Sequence, residues 1–480
     1  MRTRATILFC LGQALSGLAQ ERFGIASSNY AGNDATYLNP ARSADQWPYA
    51  DIRLVGLDLY AWNSLVAWSS REQRLVGEVR SGIAGSTAGE VIMRSATSGA
   101  HRGFVQTNLL GPAFSLSLGR GTIGAGVRTR TYTSATGISS AMGNFIFNGL
   151  GYRPQHGIRY QEEGVRVLTA AWTEFALNYA HIIKAEGFGV LSAGINAHYN
   201  LGHAGGALQF ETLDYTVIDS ARLVVHEATA RYGFAMPAMN AGSGWGADLG
   251  VTYERTLEEA DGYMPHRASG GCDPLRYRYR IGLSLLDLGG LHFRQGHAGS
   301  ISTGTASIND YTNIPVNEES DLDSLLSTAT NWDRDESFSI GTPTALALQY
   351  DQRVANNTYV AFAAVQNVSF RNGTRLRRTN SISITPRFET RYVEAALPVT
   401  LHEYDLRHPS VGFMLRFDGI VVGTDHIFPF VNTRDVYAAD IYFRLRWMIH
   451  RSPFCRDKRS SKRGHALGSH ESLPCATPNE

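Results

Sequence analysis

Lysine is almost absent from this sequence: of 44 basic residues, only Lys184, Lys458 and Lys462 are lysines. Biased codon usage accounts for this, and so does a need for rigid, forked guanidinium donors. Charge of any kind is scarce, at 18% against roughly 25% in soluble domains. The 44 bases and 43 acids leave a net charge of +1, so a nucleic-acid binder has no global electrostatic support. Beyond the N-terminus no stretch approaches the roughly 20 consecutive apolar residues of a transmembrane helix. The four cysteines contain no CxxC spacing, which excludes a zinc ribbon or a thioredoxin-like motif. HExxH and GxSxG are missing, and histidines and serines scattered along one chain define no triad, so neither chemistry nor a cofactor is expected. What is plentiful is glycine, 49 of 480 residues, and aromatics, at 10%. With 43% hydrophobic residues, this profile argues against disorder, coiled coil and collagen. The length suits two or three soluble domains or one large closed β structure.

Arg2 and Arg4 precede the apolar stretch Ala5 to Leu18, and Gly17-Leu18-Ala19 supplies small residues at a signal-peptidase site. Residues 1–19 therefore read as an export signal cleaved after Ala19, taking Cys10 with it. Of the remaining cysteines, Cys455 and Cys475 are expected to pair, leaving Cys272 free. An exported chain without a helical anchor is periplasmic, secreted, or a β-barrel in an outer membrane.

Period-2 alternation in segments of about 8 to 12 residues dominates the chain. From Arg276 it sets Tyr277, Tyr279, Ile281, Leu283 and Leu285 against Arg276, Arg278, Arg280, Gly282 and Ser284. Ala247, Leu249, Val251 and Tyr253 oppose Asp248, Gly250, Thr252 and Glu254. Ile441, Phe443, Leu445 and Trp447 oppose Tyr442, Arg444 and Arg446, while Ile123, Ala125 and Val127 oppose Gly124, Gly126, Arg128 and Arg130. Aromatics such as Tyr199, Tyr253 and Trp447 stand near strand ends, where a membrane barrel keeps its girdles. Four short turns are expected, at Gly119-Arg120-Gly121, Lys184 to Gly187, Asp287 to Gly290, and Asp418-Gly419. They alternate with long polar connections, from Ser134 to Leu168, Arg255 to Leu275, and His297 to Ile340. Short turns on one side and long loops on the other are the outer-membrane pattern, and no blade-like repeat competes with it. The expected fold is an all-β, transmembrane antiparallel barrel of about 14 strands, with 12 to 16 allowed. Ser70-Arg71-Glu72-Gln73 has capping-box spacing and opens a stretch to about Met93 that suits a helix.

Candidate sites have bland and functional readings. Gly119 to Gly124 matches GxGxxG, but an alternating strand follows where a dinucleotide site needs a helix, so a tight turn is expected. The acids between Asp310 and Glu336 offer calcium ligands, yet lack EF-hand spacing and read as a solvated loop. The lumen-facing candidates Arg128, Arg130, Asp248, Glu254, Arg276, Arg278, Arg280, Arg444 and Arg446, with Glu174, either pair and fill the barrel or hold an anionic head group, and the two are compatible. The basic residues between Arg456 and Arg463 make residues 451–480 a disordered, basic, periplasmic tail that could meet a periplasmic or cell-envelope partner.

Asn29-Tyr30-Ala31-Gly32 and Leu38-Asn39-Pro40-Ala41 resemble the opening of an uncharacterised family of Bacteroidota outer-membrane barrel proteins. The resemblance continues through Gly111-Pro112, Gly246 to Gly250, Leu285 to Gly290, Thr342 to Ala345, Leu397-Pro398-Val399 and Gly423-Thr424-Asp425. Asn39-Pro40-Ala41 is also similar to the N-terminal hatch of the FadL-like long-chain fatty-acid transporter superfamily. That likeness implies a plugged barrel that passes hydrophobic small molecules. Residues 20–49 are thus read as a hatch and 50–450 as the barrel, with outer-membrane lipid and a hydrophobic or amphipathic ligand as partners. Pro40 fixes its own φ and biases Asn39 to an extended conformation, which suits a locked turn. The rival reading is a scaffold for a secretion or surface-assembly system. The tail after Ile449 departs from the pattern, since barrels commonly end on an aromatic.

Overall fold

A computed structural model describes residues 22–70, 74–77, 90–93, 99–267, 272–294, 296–308, 331–368, 373–432 and 435–455. The expected signal peptide, the tail beyond Cys455 and most of the acidic loop lie outside the described residues.

Among the described residues one closed antiparallel sheet forms the barrel, its strand segments running as fourteen staves, beside a separate two-stranded pair. In chain order the staves begin with Ala50–Asn63, His101–Leu118, Gly121–Ile138, Arg159–Glu186 and Gly189–Val217. Leu223–Ala235 and Gly242–Thr256 share the next stave, because Gly189–Val217 pairs with the first along its far half and with the second along its near half. Tyr277–Phe293 follows, continued by His297–Thr303 and Ala306–Ile308; then Asn331–Asp335, Phe338–Gly341 and Ala345–Ala355; then Thr358–Asn367 and Ser381–Glu389. Val393–Ala396 with Val399–His402, Ser410–Val411 with Phe413–Phe417, Ile420–Thr424 and Ala438–Ile449 complete the ring. Closure is direct, with Ala50 opposite Ile449 and Trp62 opposite Ala438, so the first and last staves complete the ring.

Alternation sorts side chains as a membrane barrel requires. Along Gly242–Thr256, Leu249, Val251 and Tyr253 are exposed outward while Asp248, Thr252 and Glu254 are buried inward. Along Ala438–Ile449, Ile441, Phe443 and Trp447 point out and Tyr442, Arg444 and Arg446 point in. An apolar outer face around a polar interior inverts a soluble protein, and it is stable where lipid is the solvent.

Two of the four expected turns, Gly119-Arg120 and Asp418-Gly419, stand where expected, and the one expected at Lys184 to Gly187 falls at Gly187-Phe188 because Lys184 to Glu186 remain paired; all three join adjacent strands at the end where the last strand finishes. The fourth is not a turn. Asp287 to Gly290 lies within Tyr277–Phe293, where a β-bulge shifts the register between Leu285 and Leu288. Asp287 takes φ 51° and Gly289 φ 148°, so turn-forming residues here serve a bulge that sends both Leu286 and Asp287 inward. A second bulge, between Tyr277 and Tyr279, corrects the expected arginine stripe. Arg280 is buried inside as expected, but Tyr277 is also inside, and Arg276 and Arg278 are exposed outside the interior. The bulge adds a residue and so inverts the parity of everything before it.

Two further expectations are corrected. Glu90–Met93 is a strand paired with Val66–Ser69, not the end of a helix. Cys272 is bonded to Cys455, with Cα atoms 5.7 Å apart, rather than left free. The connection between Thr256 and Tyr277 crosses the short-turn mouth to reach the chain just past the last strand, which is why residues 183 positions apart meet.

Candidate functional site

The chain's own N-terminal segment, Arg22 to Tyr49, is buried against inward side chains of the sheet. It consists of a short helix, Phe23–Ala26, and two turns of 3-10 helix, Gly32–Tyr37 and Pro40–Ser43. Its partners come from staves all round the ring, among them Val251, Ser284, Gln349, Glu394 and Arg444.

Asn39, Pro40 and Ala41 form the tightest seat. Asn39 is extended, at φ −157° and ψ 111°, and its Oδ1 accepts from the Ala41 N–H at 3.0 Å, capping the following turn. Its Nδ2 donates to the Val251 carbonyl at 3.1 Å and stands 3.5 Å from that of Leu283. The wall approaches this closely because it carries glycine there. A β-carbon on Gly250 would overlap Asn39 Oδ1 and lie 2.9 Å from Pro40 Cδ, one on Gly194 would lie 2.6 Å from Ala41 N, and one on Gly282 would lie 2.8 Å from Asn39 Nδ2. The preceding carbonyl, Leu38 O, accepts from Ser284 Oγ at 2.6 Å and Gln349 Nε2 at 3.0 Å.

Ion pairs and charged hydrogen bonds hold the rest of the segment. Arg444 Nε donates to Asp34 Oδ1 at 2.7 Å while its Nη1 meets Asp58 Oδ1 at 2.5 Å, and Arg22 pairs with the same Asp58. Arg446 donates to the carbonyls of Ala31 at 2.5 Å and Tyr30 at 3.0 Å. Arg280 bridges Glu254 at 2.6 Å and Asn29 Oδ1 at 3.0 Å. Ser28 Oγ donates to Glu394 at 2.7 Å, and Asn29 to Glu389.

Further toward the long-loop end, the same strands carry a second belt. Arg128 Nε donates to Glu174 at 2.6 Å, and Arg130 forks onto Asp287 at 2.6 and 3.1 Å. Arg378 reaches Asp287 at 3.0 Å, while His198 Nε2 lies 3.1 Å from Asp248. The Tyr37 ring, from the N-terminal segment, faces Arg128 at 4.5 Å and Arg22 at 5.1 Å. Glu174, His198 and Asp287 could each offer a metal ligand atom within 4.8 Å of the others. Three guanidinium groups already neutralise these carboxylates, which makes the cluster an ion-pair network. One or two residues further along come Tyr132, Leu168, Trp172, Leu291, Phe293, Ile340 and Leu376, an apolar cluster within the wall.

Of the lumen candidates, Arg128, Arg130, Asp248, Glu254, Arg280, Arg444 and Arg446 are all buried and belong to these belts; Arg276 and Arg278 do not. Asp287, Arg378 and Asp34 were missed: the first read as a turn, the second lies outside any strand, and the third has no periodic context. Arg387, paired with Asp351 at 2.8 Å, was legible from Ser381, Ser383, Thr385 and Arg387 alternating with Ile382, Ile384 and Phe388.

At the short-turn mouth the connection after Thr256 runs beneath the segment. Tyr263 Oη donates to Asp45 at 2.6 Å, His266 Nε2 bonds the Gln46 carbonyl at 3.0 Å, and Cys272–Cys455 ties the far end. Burial lowers the His266 imidazole from its ordinary 6.5, partly opposed by the Gln46 bond.

The sequence pattern of the family of unknown function DUF5723 matches residues 90–425. No curated protein matches the chain. Among solved structures, the Ralstonia pickettii toluene transporter TbuX is similar at 10% identity and TM-score 0.40, over 89% of this chain and 98% of its own. The Pseudomonas putida toluene transporter TodX is similar at 11% and 0.38, over 89% and 97%. The monoaromatic hydrocarbon channel CymD is similar at 8% and 0.32, over 90% and 96%.

Proposed function

We propose that this chain, which belongs to the family of unknown function DUF5723, is an outer-membrane barrel for passive transport or binding of hydrophobic or amphipathic small molecules. The observation that carries this reading is how the N-terminal segment is held. Its seat is built from hydrogen bonds at Asn39, an ion pair from Arg444 to Asp34, and charged hydrogen bonds from Arg446 to the Ala31 carbonyl and from Arg280 to Asn29, all of them separate from the ring's own ladder. Residues 20–49 then act as a hatch, and the lumen opens without unfolding the ring.

The interior beyond the hatch suits a two-part compound. Trp172, Leu291, Phe293 and Ile340 would line an apolar tail, and the forked donors of Arg128, Arg130 and Arg378 would meet an anionic or polar head once Asp287 is displaced. No cofactor takes part. Deleting Gln20 to Ala41 should leave a barrel that inserts and conducts larger solutes in planar bilayers. Unchanged conductance, with Asn39 open to protease in the intact protein, would remove the hatch and the transport reading with it.

One observation favours the scaffold instead: residues 257–267 bond to the N-terminal segment at the short-turn mouth, through Tyr263 to Asp45 and His266 to Gln46, and Cys272–Cys455 ties the same connection to the chain's end. On that reading the basic tail docks a periplasmic or cell-envelope partner. A barrel that stays impermeable without residues 20–41 and copurifies with such a partner would support it.

A further inference from the structure

The two arginines that the bulge at Tyr277–Tyr279 turns out of the lumen gain a different neighbour. Arg276 and Arg278 are exposed at the start of Tyr277–Phe293, and Arg255, exposed at the end of the adjacent strand, stands opposite Tyr279. None of the three makes an ion pair among the described residues, in a protein whose interior arginines are nearly all paired. Beside them runs an outward row of rings. Tyr253 and Tyr279 have centroids 6.5 Å apart, Tyr279 and Tyr350 6.2 Å apart, and the Arg255 guanidinium lies 5.2 Å from the Phe188 ring. Tyr253, Tyr350 and Phe188 are all more than a third exposed, as outward side chains of the barrel. Such a row marks the level at which hydrocarbon gives way to head groups.

We propose that Arg255, Arg276 and Arg278 form a binding site for the phosphate of an anionic glycerophospholipid in the leaflet at the short-turn end. The aromatic row fixes the depth, and the arginine stems lie along it while their heads reach the phosphate layer. Guanidinium is suited to this because its fork takes two phosphate oxygens at once and is weakly hydrated. Free carboxylates at the site would compete, and Glu258 and Glu259, exposed in the same connection, form no ion pair with these arginines. The site holds the barrel at a set height and rotation in the bilayer, whether or not the lumen transports.

The test is native mass spectrometry of the full chain, delipidated in detergent and offered phosphatidylglycerol, phosphatidylcholine or inorganic phosphate. The natural sequence should retain phosphatidylglycerol in preference to phosphatidylcholine. Each arginine changed to glutamine should lower retention about five-fold, so the triple variant should lose the preference while keeping its heat-dependent gel migration. If the triple variant fails to fold, Arg276→Gln alone, outside any strand, should still show its share of the loss. No preference in the natural sequence, undiminished retention in the variants, or displacement of the lipid by inorganic phosphate would each overturn the proposal.

Discussion

Gly250→Ala tests the seat of the N-terminal segment at its tightest point. The added methyl would overlap Asn39 Oδ1 and press on Pro40 Cδ at 2.9 Å. Pro40 Cδ belongs to a rigid ring, and Asn39 Oδ1 can move only by giving up the amide's bonds to Ala41 and Val251. Overpacking of this kind costs about 1–3 kcal/mol, roughly 5- to 150-fold in the ratio of docked to undocked segment. The strain falls on docking and leaves the ladder alone, since residue 250 keeps its backbone pairing and its inward orientation. In detergent-solubilised protein, trypsin should cut after Arg42 faster by that factor, while unheated and boiled samples keep their different gel mobilities. A second background sharpens the result. Asn39→Ala removes the overlapping oxygen at the loss of the bonds to Ala41 and Val251, net about 0.5–1.5 kcal/mol each. Adding Gly250→Ala to it should therefore cost less than it does alone. Unchanged cleavage in Gly250→Ala, or an equal penalty in both backgrounds, would refute this account of the seat.

Arg444→Gln should lower the temperature of heat-induced unfolding, because it takes the nearest cation from buried Asp34 and leaves buried Asp58 with Arg22 alone; breaking one side of a buried pair costs at most about 3–5 kcal/mol. The exposed Arg278→Gln is the control, and a similar fall in both would show that burial does not set the cost. The strap beneath the segment should respond to pH through His266. Undocked, its imidazole takes up a proton near 6.5; docked, only at lower pH, so docking is at full strength above that value and weakens as pH falls below it. Proteolysis within 257–267 should accelerate from pH 7.5 to 5.5, and a His266→Gln variant that keeps the same pH dependence would contradict the assignment.

Where one residue followed another without interruption, sequence reasoning reached the structure. Asp248, Thr252 and Glu254 alternate with Leu249, Val251 and Tyr253, and a sheet lined on one side by lipid has no other way to arrange them. The same reasoning misplaced Arg276 and Arg278 because a single inserted residue inverts parity, and nothing in Arg-Tyr-Arg-Tyr-Arg marks which residue is extra. Leu-Asp-Leu-Gly-Gly has the composition of a turn, and only the carbonyl of Asp287, bonded by Thr342 and Thr344 from the neighbouring stave, distinguishes the bulge. Asn39-Pro40-Ala41 was legible as a locked turn, but its cradle was not, since Gly194, Gly250 and Gly282 lie on three strands that only tertiary pairing aligns. The bond from Cys272 to Cys455 was hidden for the same reason, by a path across the mouth that no local pattern records.

The seam between Ala50–Asn63 and Ala438–Ile449 sets an order of assembly. The N-terminal segment is made before the first strand, yet Arg444 and Arg446, the cations nearest Asp34 and the carbonyls of Tyr30 and Ala31, arrive with the last strand to emerge. Until then Asp58 has Arg22 and Asp34 has only the more distant Arg53, at 4.0 Å, and the ring stands open at one place. Zipping the seam delivers both the missing hydrogen-bond ladder and the charges of Arg444 and Arg446, so a ring that closes on the segment gains two sets of contacts at once.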